Sequence, residues 1–343
     1  MRNLIWYLLG IGLLVAVLFS LDTYRKYFKA NINLPPHKVG HLYIPTGSKA
    51  EDVYGILLRE NLIIERKTFE WLANHKDFKD HIHPGHYVVS KGMSNSEIIR
   101  MLMAGRQTPV NVTFNNLRTR DQLAEKIASE IEATKADILH LLSDEQFLSQ
   151  YGFNRDNAMV VFIPNTYQMY WNSTAEQFFL RMVKEYTKFW TDERKKKAEA
   201  AGLTPIQVSI LASIVDEETE KNSEEPAIAG VYINRLDKHM LLQADPTVRF
   251  ALGDFTIKRI LKKHLDIQSP YNTYIHPGLP PGPINIPSIE SIKAVLNYEK
   301  SGYLYFCAKE DFSGYHHFSK TMEQHLAYAR LYQKALTQHR IMK

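Results

Sequence analysis

An uncharged apolar stretch near the amino terminus constrains this chain most. Residues 4–21, LIWYLLGIGLLVAVLFSL, contain no charged side chain. As a helix with a rise of about 1.5 Å per residue, this stretch is about 27 Å long, close to the hydrocarbon thickness of a bilayer. It is longer than the core of a cleaved signal peptide and lacks a small-x-small cleavage site. The sequence therefore predicts a transmembrane anchor over residues 1–21.

Composition restricts the rest of the chain. With 343 residues there is room for two domains, each with its own core. The net charge is +5, and the longest lysine run, 195–197, lies in a mixed-charge stretch typical of a solvated helix face, so no nucleic-acid partner is predicted. Cys307 is the single cysteine, which excludes an intramolecular disulfide, and its apolar surroundings favour a buried thiol.

Patterning divides the chain into four segments. Residues 22–38 form a predicted tether ending in two prolines, and residues 39–108 alternate strand-like runs with amphipathic helices in a β-α-α-β-α order. Capping-box patterns, Ser48 with Glu51 and Ser94 with Glu97, open two of these helices. Residues 109–343 are helix-rich and end in two strand-like runs and a helix from about Met322. The predicted fold class is α+β: an anchor, a small module and a larger mixed domain.

Common catalytic and metal motifs are lacking. The sequence has no Walker loop, GxGxxG, GxSxG or HExxH pattern. His81, His83 and His86 cluster in sequence, but a strand would place His86 on the other face from the first two. No metal site and no cofactor are predicted.

The acidic cluster in LASIVDEETEKN, residues 211–222, contains one carboxylate that differs from its neighbours. On a helix beginning at Pro205, with 100° per residue, Glu218 lies in the middle of the apolar face. Asp216 and Glu220 fall on the opposite face and are predicted to be solvated, while Glu217 lies at the edge. The apolar face is formed by Leu211, Ile214 and Val215.

A carboxylate on an apolar face loses hydration, which raises its pKa and suits it to act as a general acid. The alternative is a structural ion pair, for instance with Arg235 on the next helix. Periodicity alone does not decide between the two. A second open question concerns the proline-rich segment 270–287, which forms either a wall beside a site or a rigid structural loop.

Five motifs in order carry a family resemblance: LASIVDEET, AGVYINRL, LLQADPTV, SPYNTYIHPGLPPGPI and YLYFC, between residues 211 and 307. The chain resembles the YceG-like endolytic murein transglycosylases, which are membrane-anchored enzymes that cut nascent peptidoglycan. Weaker matches are the anchor, the LysM-like module at 39–108 and FIPNTYQMY at 162–170.

The resemblance implies a catalytic residue, the second Glu of an I-[IV]-E-x-E-T pattern, which is Glu218 here. The first acid of that pattern is Asp216 in this chain. Two further departures are Asn115-Asn116, where many members have Glu-Gly, and Asn165, where they have Asp. Substrate-binding residues expected from the resemblance and from residue type are Gln243, Asp245, Tyr271, Asn272 and Tyr274.

The implied reaction is non-hydrolytic cleavage of the MurNAc-GlcNAc bond with one residue as acid and base, leaving 1,6-anhydroMurNAc ends. The implied partners are glycan strands, which the LysM-like module would grip, and peptidoglycan synthases. The implied location is the bacterial inner membrane, with a single pass and a periplasmic catalytic domain over 109–343. Two alternatives stay open, a hydrolytic muramidase and a noncatalytic glycan-binding scaffold.

Overall fold

The computed structural model describes residues 2–339, which divide into two compact units. The first unit contains the chain up to Val112 together with two later segments, 129–133 and 167–174. The second unit contains 113–128, 134–166 and the chain from Ala175 onward.

The first unit begins with the long helix α1, Arg2–Phe28. Its best 18-residue window has a mean hydropathy of 2.5, and none of that window is buried, so α1 is long and apolar enough to cross a membrane. The helix continues beyond residue 21 into the segment predicted to be a tether. There Tyr27 contacts Trp71 edge-on, with ring centroids 6.3 Å apart, and Lys26 Nζ lies 4.5 Å from the centre of the same indole.

A small α+β module follows α1, with the predicted β-α-α-β-α order. Its strands are antiparallel, with Val39 opposite Ser90 and Ile44 opposite Gly85. Alternate residues of the first strand are buried against the helices, which gives the module its own core. The elements are β1 Val39–Ile44, α2 Ala50–Arg59, α3 Arg66–His75, β2 Gly85–Ser90 and α4 Asn95–Met103.

One of the two predicted helix caps in this module is displaced. Ser94 and Glu97 form the expected capping box, in which the Ser94 amide donates to Glu97 Oε2 at 2.8 Å. The prediction for Ser48 and Glu51 is wrong by one residue, because α2 is capped at Lys49 and the Lys49 amide donates to Asp52 Oδ2 at 2.8 Å. A carboxylate one position later can reach the same end of the helix.

A buried polar network fastens the chain after α1 to the module. Asn31 Nδ2 donates to Asn95 Oδ1 at 2.6 Å, and Asn95 Nδ2 donates to the Lys26 carbonyl at 3.0 Å and to Thr68 Oγ1 at 3.1 Å. Both asparagines are at most 3% exposed. Buried amides of this kind are costly to leave without partners, so they fix the course of residues 26–31.

The second unit is mainly helical. Strands β3, Val110–Phe114, and β4, Asn165–Met169, pair with each other, and each contains residues of both units. Within the second unit a hairpin pairs β5, Tyr305–Ala308, with β6, His316–Ser319. The two strands of the hairpin and the last helix lie where the sequence predicts them. The helices are α5 Arg120–Ala128, α6 Lys135–Leu141, α7 Glu145–Ser149, α8 Ala175–Phe189, α9 Asp192–Ala200, α10 Pro205–Glu218, α11 Glu225–Asp237, α12 Asp245–Leu252, α13 Ile289–Leu296 and α14 Met322–Gln338.

Helix α10 is the centre of the second unit. Every residue from 208 to 215 is buried, and α10 contacts α11, α12 and α13. The helix is therefore apolar all round over these two turns, not on one face only.

Loss of the buried amide network should destabilise the first unit. In Asn95→Ala, the Lys26 carbonyl and Thr68 lose a partner, so we expect the free energy of unfolding to fall by about 1–3 kcal/mol. The measurement is denaturant unfolding of the full chain in detergent. The matched control is Asn33→Ala, because Asn33 is exposed. Equal stability of the two variants would contradict the role given to this network.

Candidate active site

Glu218 is the last residue of α10 and lines a cavity of about 280 Å³ in the second unit. The side chain is half-buried and meets solvent through this cavity. The other lining residues come from α11, the segment before α12, the start of α12, the proline-rich loop, the hairpin and α14: Tyr232, Arg235, Leu242, Gln243, Asp245, Tyr274, Phe306 and His325.

Local contacts and backbone conformation define both ends of α10. Thr204 caps it: its hydroxyl accepts from the Gln207 amide, and its own amide donates to Gln207 Oε1 at 2.9 Å. Pro205 occupies the first turn, where its missing N–H costs nothing. At the other end Thr219 is extended, with φ −149° and ψ 145°, so the helix stops at Glu218.

The environment of Glu218 favours its neutral form. Burial raises its pKa from 4.5 to about 7, and the nearby Asp245 carboxylate acts in the same direction. The carboxyl end of a helix also carries partial negative charge, which disfavours an anion there. Tyr232 opposes these effects, because its hydroxyl donates to Glu218 Oε1 at 2.6 Å. The carboxyl group is thus poised to be protonated or ionised near neutral pH.

Among residues 2–339, Glu218 and Arg235 do not form the ion pair that the sequence left open. The Arg235 side chain instead donates to the carbonyls of Leu304 at 2.7 Å and Leu242 at 2.8 Å. A further, longer bond of 3.4 Å reaches Gln243 Oε1. Arg235 is 8% exposed and holds the hairpin and the segment before α12 to α11.

The other acids of the cluster have separate roles. The prediction that Asp216 is solvated is wrong. Asp216 is half-buried and accepts from Ser291 Oγ at 2.6 Å and from the Ser288 amide at 3.2 Å. It thereby anchors the start of α13, and the prediction failed because α10 is buried on more than one face. Glu217 pairs with Arg118 at 2.8 Å. Glu220 is exposed, as predicted.

Asp245 and Tyr274 meet at the cavity, where Tyr274 Oη donates to Asp245 Oδ1 at 2.6 Å. Two backbone contacts bring them together. The Gln243 amide donates to the Thr273 carbonyl at 3.1 Å, and the Ala244 amide donates to Thr273 Oγ1 at 3.0 Å. Gln243 has a positive φ of 51° and is exposed at the cavity. Three of the five predicted binding residues therefore lie beside Glu218.

Tyr271 and Asn272 do not line this cavity. The Tyr271 ring packs on Phe250, with centroids 4.7 Å apart, and burial raises the pKa of its hydroxyl to about 12. Asn272 is fully buried, and its amide nitrogen donates to the Leu265 and Ile267 carbonyls at 2.7 and 3.0 Å. Both residues shape the proline-rich loop, which is a wall of the cavity at Tyr274 and a structural loop at these two positions.

The two departures from the family pattern also lie outside the cavity lining. Asn116 Oδ1 accepts a 3.4 Å bond from Asn285, and Asn116 has a positive φ of 44°. Asn165 is exposed, and its side-chain oxygen accepts from the Thr166 amide at 2.8 Å.

Sequence reasoning missed several residues of the cavity. Tyr232 lies in the AGVYINRL motif, but its contact with Glu218 depends on how α10 and α11 pack, which no sequence spacing reveals. Phe306 and His325 come from the hairpin and α14, about 90 and 110 residues after Glu218. For Arg235 the sequence suggests only an ion pair with Glu218, not its place in the cavity lining.

The cavity combines an acid whose pKa is near neutrality with a second carboxylate, a tyrosine pair and a glutamine. Such a set can protonate a leaving oxygen, take a proton back and hold a polyhydroxylated ligand. Among the described residues, no three His, Cys, Asp or Glu side chains form a cluster suited to a metal ion.

Comparison with known proteins gives a consistent result. The model of the YceG-like family matches residues 42–331. The endolytic murein transglycosylase of Bacillus subtilis (strain 168) is 30% identical over 300 residues, covering 83% of this chain and 82% of the relative. That of Streptococcus pneumoniae (serotype 2, strain D39) is 27% identical over 299 residues, 77% of this chain, but only 53% of the relative is covered.

A solved structure also matches. The crystal structure of a YceG-like protein from Listeria monocytogenes has 30% sequence identity and a TM-score of 0.56, covering 84% of this chain and 98% of that one. Because the family model spans most of the sequence and contains every residue of the Glu218 cavity, this chain belongs to the YceG-like family.

Proposed function

We propose that this chain is an endolytic peptidoglycan lytic transglycosylase, a lyase that cleaves the MurNAc-GlcNAc bond of nascent glycan without consuming water. The observation that carries the proposal is Glu218, a half-buried acid at a cavity, with a pKa raised to about 7 by burial. The relatives from B. subtilis and S. pneumoniae, which bear the name endolytic murein transglycosylase, support the substrate class.

The reaction uses Glu218 twice. As an acid it protonates the glycosidic oxygen, and the bond from that oxygen to C1 of the muramyl residue breaks with oxocarbenium character. The carboxylate that remains accepts the proton of the muramyl C6 hydroxyl while O6 bonds to C1. The product is a 1,6-anhydroMurNAc end, and Glu218 is again protonated. The internal hydroxyl takes the place of the second carboxylate that ordinary glycosidases need.

The neighbours of Glu218 suit these two steps. Tyr232 Oη, 2.6 Å from Glu218 Oε1, orients the acid and stabilises the carboxylate that forms after proton transfer. Asp245 supplies negative charge beside the developing oxocarbenium ion, and Tyr274 holds the Asp245 carboxylate in place. Gln243, exposed at the cavity, is left to bind sugar hydroxyls together with Tyr274.

The first unit supports a role at the membrane. Helix α1 is a single-pass anchor in this proposal, and the catalytic residues lie in the periplasm, where nascent glycan is made. In this proposal the module at 39–108, with its β-α-α-β-α order, acts as a LysM-like domain and holds the glycan strand. Anchoring keeps the enzyme near the peptidoglycan synthases that supply its substrate.

A hydrolytic muramidase is the second candidate, and one observation favours it. Asp245 is a second carboxylate at the same cavity, and hydrolytic glycosidases use such a pair. The third candidate, a noncatalytic scaffold, gives no reason for an acid placed where burial disfavours its charge.

Substitution of the acid tests the proposal. Glu218→Gln keeps the shape and the Tyr232 contact but cannot donate a proton, so we expect glycan cleavage to fall at least 100-fold. The assay is mass spectrometry of nascent glycan incubated with the full chain in detergent. The wild type should yield anhydromuramyl ends. Reducing muramic ends would indicate the hydrolase.

The matched control is Glu220→Gln, because Glu220 is an exposed acid two residues away. It should cleave at the wild-type rate. If Glu218→Gln and Glu220→Gln both cleave as the wild type does, Glu218 is not the acid; if no protein cleaves glycan, the scaffold is the better account.

The pH dependence of kcat/KM follows from the raised pKa of Glu218. The acid must be protonated at the start, so activity should fall as pH rises through about 7. Tyr232→Phe removes the hydrogen bond that lowers this pKa, so its falling limb should move to higher pH and its maximal rate should drop. Tyr274→Phe, which loses a bond to Asp245 instead, is the control and should shift this limb less. If the kcat/KM of Tyr232→Phe falls at the same pH as that of the wild type, Glu218 is not the group that titrates in this limb.

A further inference from the structure

We propose that His325 binds an oxygen atom of the glycan in the Glu218 cavity through its Nε2–H group. His325 lies in the first turn of α14 and lines the cavity together with Glu218. The proposal rests on the proposed function and adds a substrate-binding residue that lies outside the sequence motifs.

The His325 ring is held in a fixed position. It stacks on Tyr305 of β5, with centroids 5.4 Å apart and planes 26° from parallel. The Arg235 guanidinium lies 5.2 Å from the centre of the same Tyr305 ring. At the start of α14, the Thr321 hydroxyl accepts from the Gln324 amide and caps the turn. A ring fixed in this way can present one nitrogen to a ligand without losing further rotational freedom on binding.

The two nitrogens of His325 have no hydrogen-bond partner within residues 2–339. Nδ1 is buried and unpaired, and no bond to Nε2 is formed by any described group. Nearby histidines behave differently. His316 Nδ1 pairs with Glu224 at 3.0 Å, and His317 Nε2 pairs with Glu310 at 2.8 Å. Unpaired polar atoms at a cavity are characteristic of a site that a ligand completes.

The environment determines which nitrogen is the donor. Burial lowers the pKa of His325, and the Arg235 charge acts in the same direction, so the ring is neutral at pH 7 and carries one N–H. A hydrogen on Nδ1 would be a buried donor without an acceptor, which is rarer and more costly than an unfilled acceptor. The hydrogen therefore belongs on Nε2, the nitrogen that remains available to the cavity.

A neutral imidazole N–H can donate to an uncharged oxygen acceptor. Hydroxyl, acetamido and ring oxygens of an amino sugar are of this class. Glu218, the Asp245 carboxylate and the Tyr274 hydroxyl line the same cavity. They can bind the remaining polar groups of the same sugar. His325 thus fixes the sugar against Glu218, a contribution of proximity and not of proton transfer.

The test uses His325→Phe in the full chain in detergent. Phenylalanine keeps a ring on Tyr305 and removes both nitrogens. We expect kcat/KM on nascent glycan to fall about 3- to 10-fold, the effect of one neutral hydrogen bond. The melting temperature should stay equal or rise, because an unpaired buried nitrogen is removed. His317→Phe is the control, since this ring also stacks on a tyrosine but does not line the cavity.

A binding measurement separates this proposal from the proposed function. The affinity for a purified glycan oligosaccharide is compared between Glu218→Gln and the double variant Glu218→Gln with His325→Phe. The double variant should bind about 3- to 10-fold more weakly. Equal affinity overturns the role of His325, whether or not the wild type cleaves glycan. Failure of the wild type to cleave would instead count against the lytic activity, and weaker binding by the double variant would still support His325 as a ligand of the sugar.

Discussion

The hydrogen bond from Tyr232 to Glu218 is the contact on which the site depends. Burial raises the pKa of Glu218 to about 7, whereas the 2.6 Å bond from Tyr232 stabilises the carboxylate. An acid without that bond would hold its proton too firmly to work as a base. An acid without burial would already be ionised at neutral pH. The balance requires α10 to end at Glu218 and α11 to place Tyr232 beside it.

The surroundings of α10 maintain this balance. Asp216 fastens α10 to α13 through Ser291, and Glu217 pairs with Arg118 on the chain before α5. These contacts leave Glu218 alone among the three successive acids to face the cavity. Arg235 donates to backbone carbonyls and forms no ion pair with Glu218, although its charge slightly favours the carboxylate. These three successive acids therefore differ: Asp216 and Glu217 bond to neighbouring segments, and Glu218 lines the cavity.

The sequence predicted the features that depend on local chemistry. The apolar helix, the module order and the Pro205 start of α10 follow from periodicity and capping. The solvation of Asp216 was predicted wrongly, because a helix wheel assumes one buried face and α10 has several. Tyr232, Phe306 and His325 could not be found at all, since tertiary packing brings them to the cavity from distant segments. Asn272, expected from the resemblance to bind substrate, donates to two backbone carbonyls and does not line the cavity.

Direct titration of the Glu218 carboxyl group tests the central claim most closely. Carbon-13 NMR of the side-chain carboxyls in the full chain, with the Glu218 signal assigned by its loss in Glu218→Gln, reports this pKa without any substrate. The account predicts a midpoint near 7, the value to which burial raises it. A midpoint near 4.5, the value of an ordinary glutamate in water, would mean that Glu218 is ionised at neutral pH and cannot be the general acid.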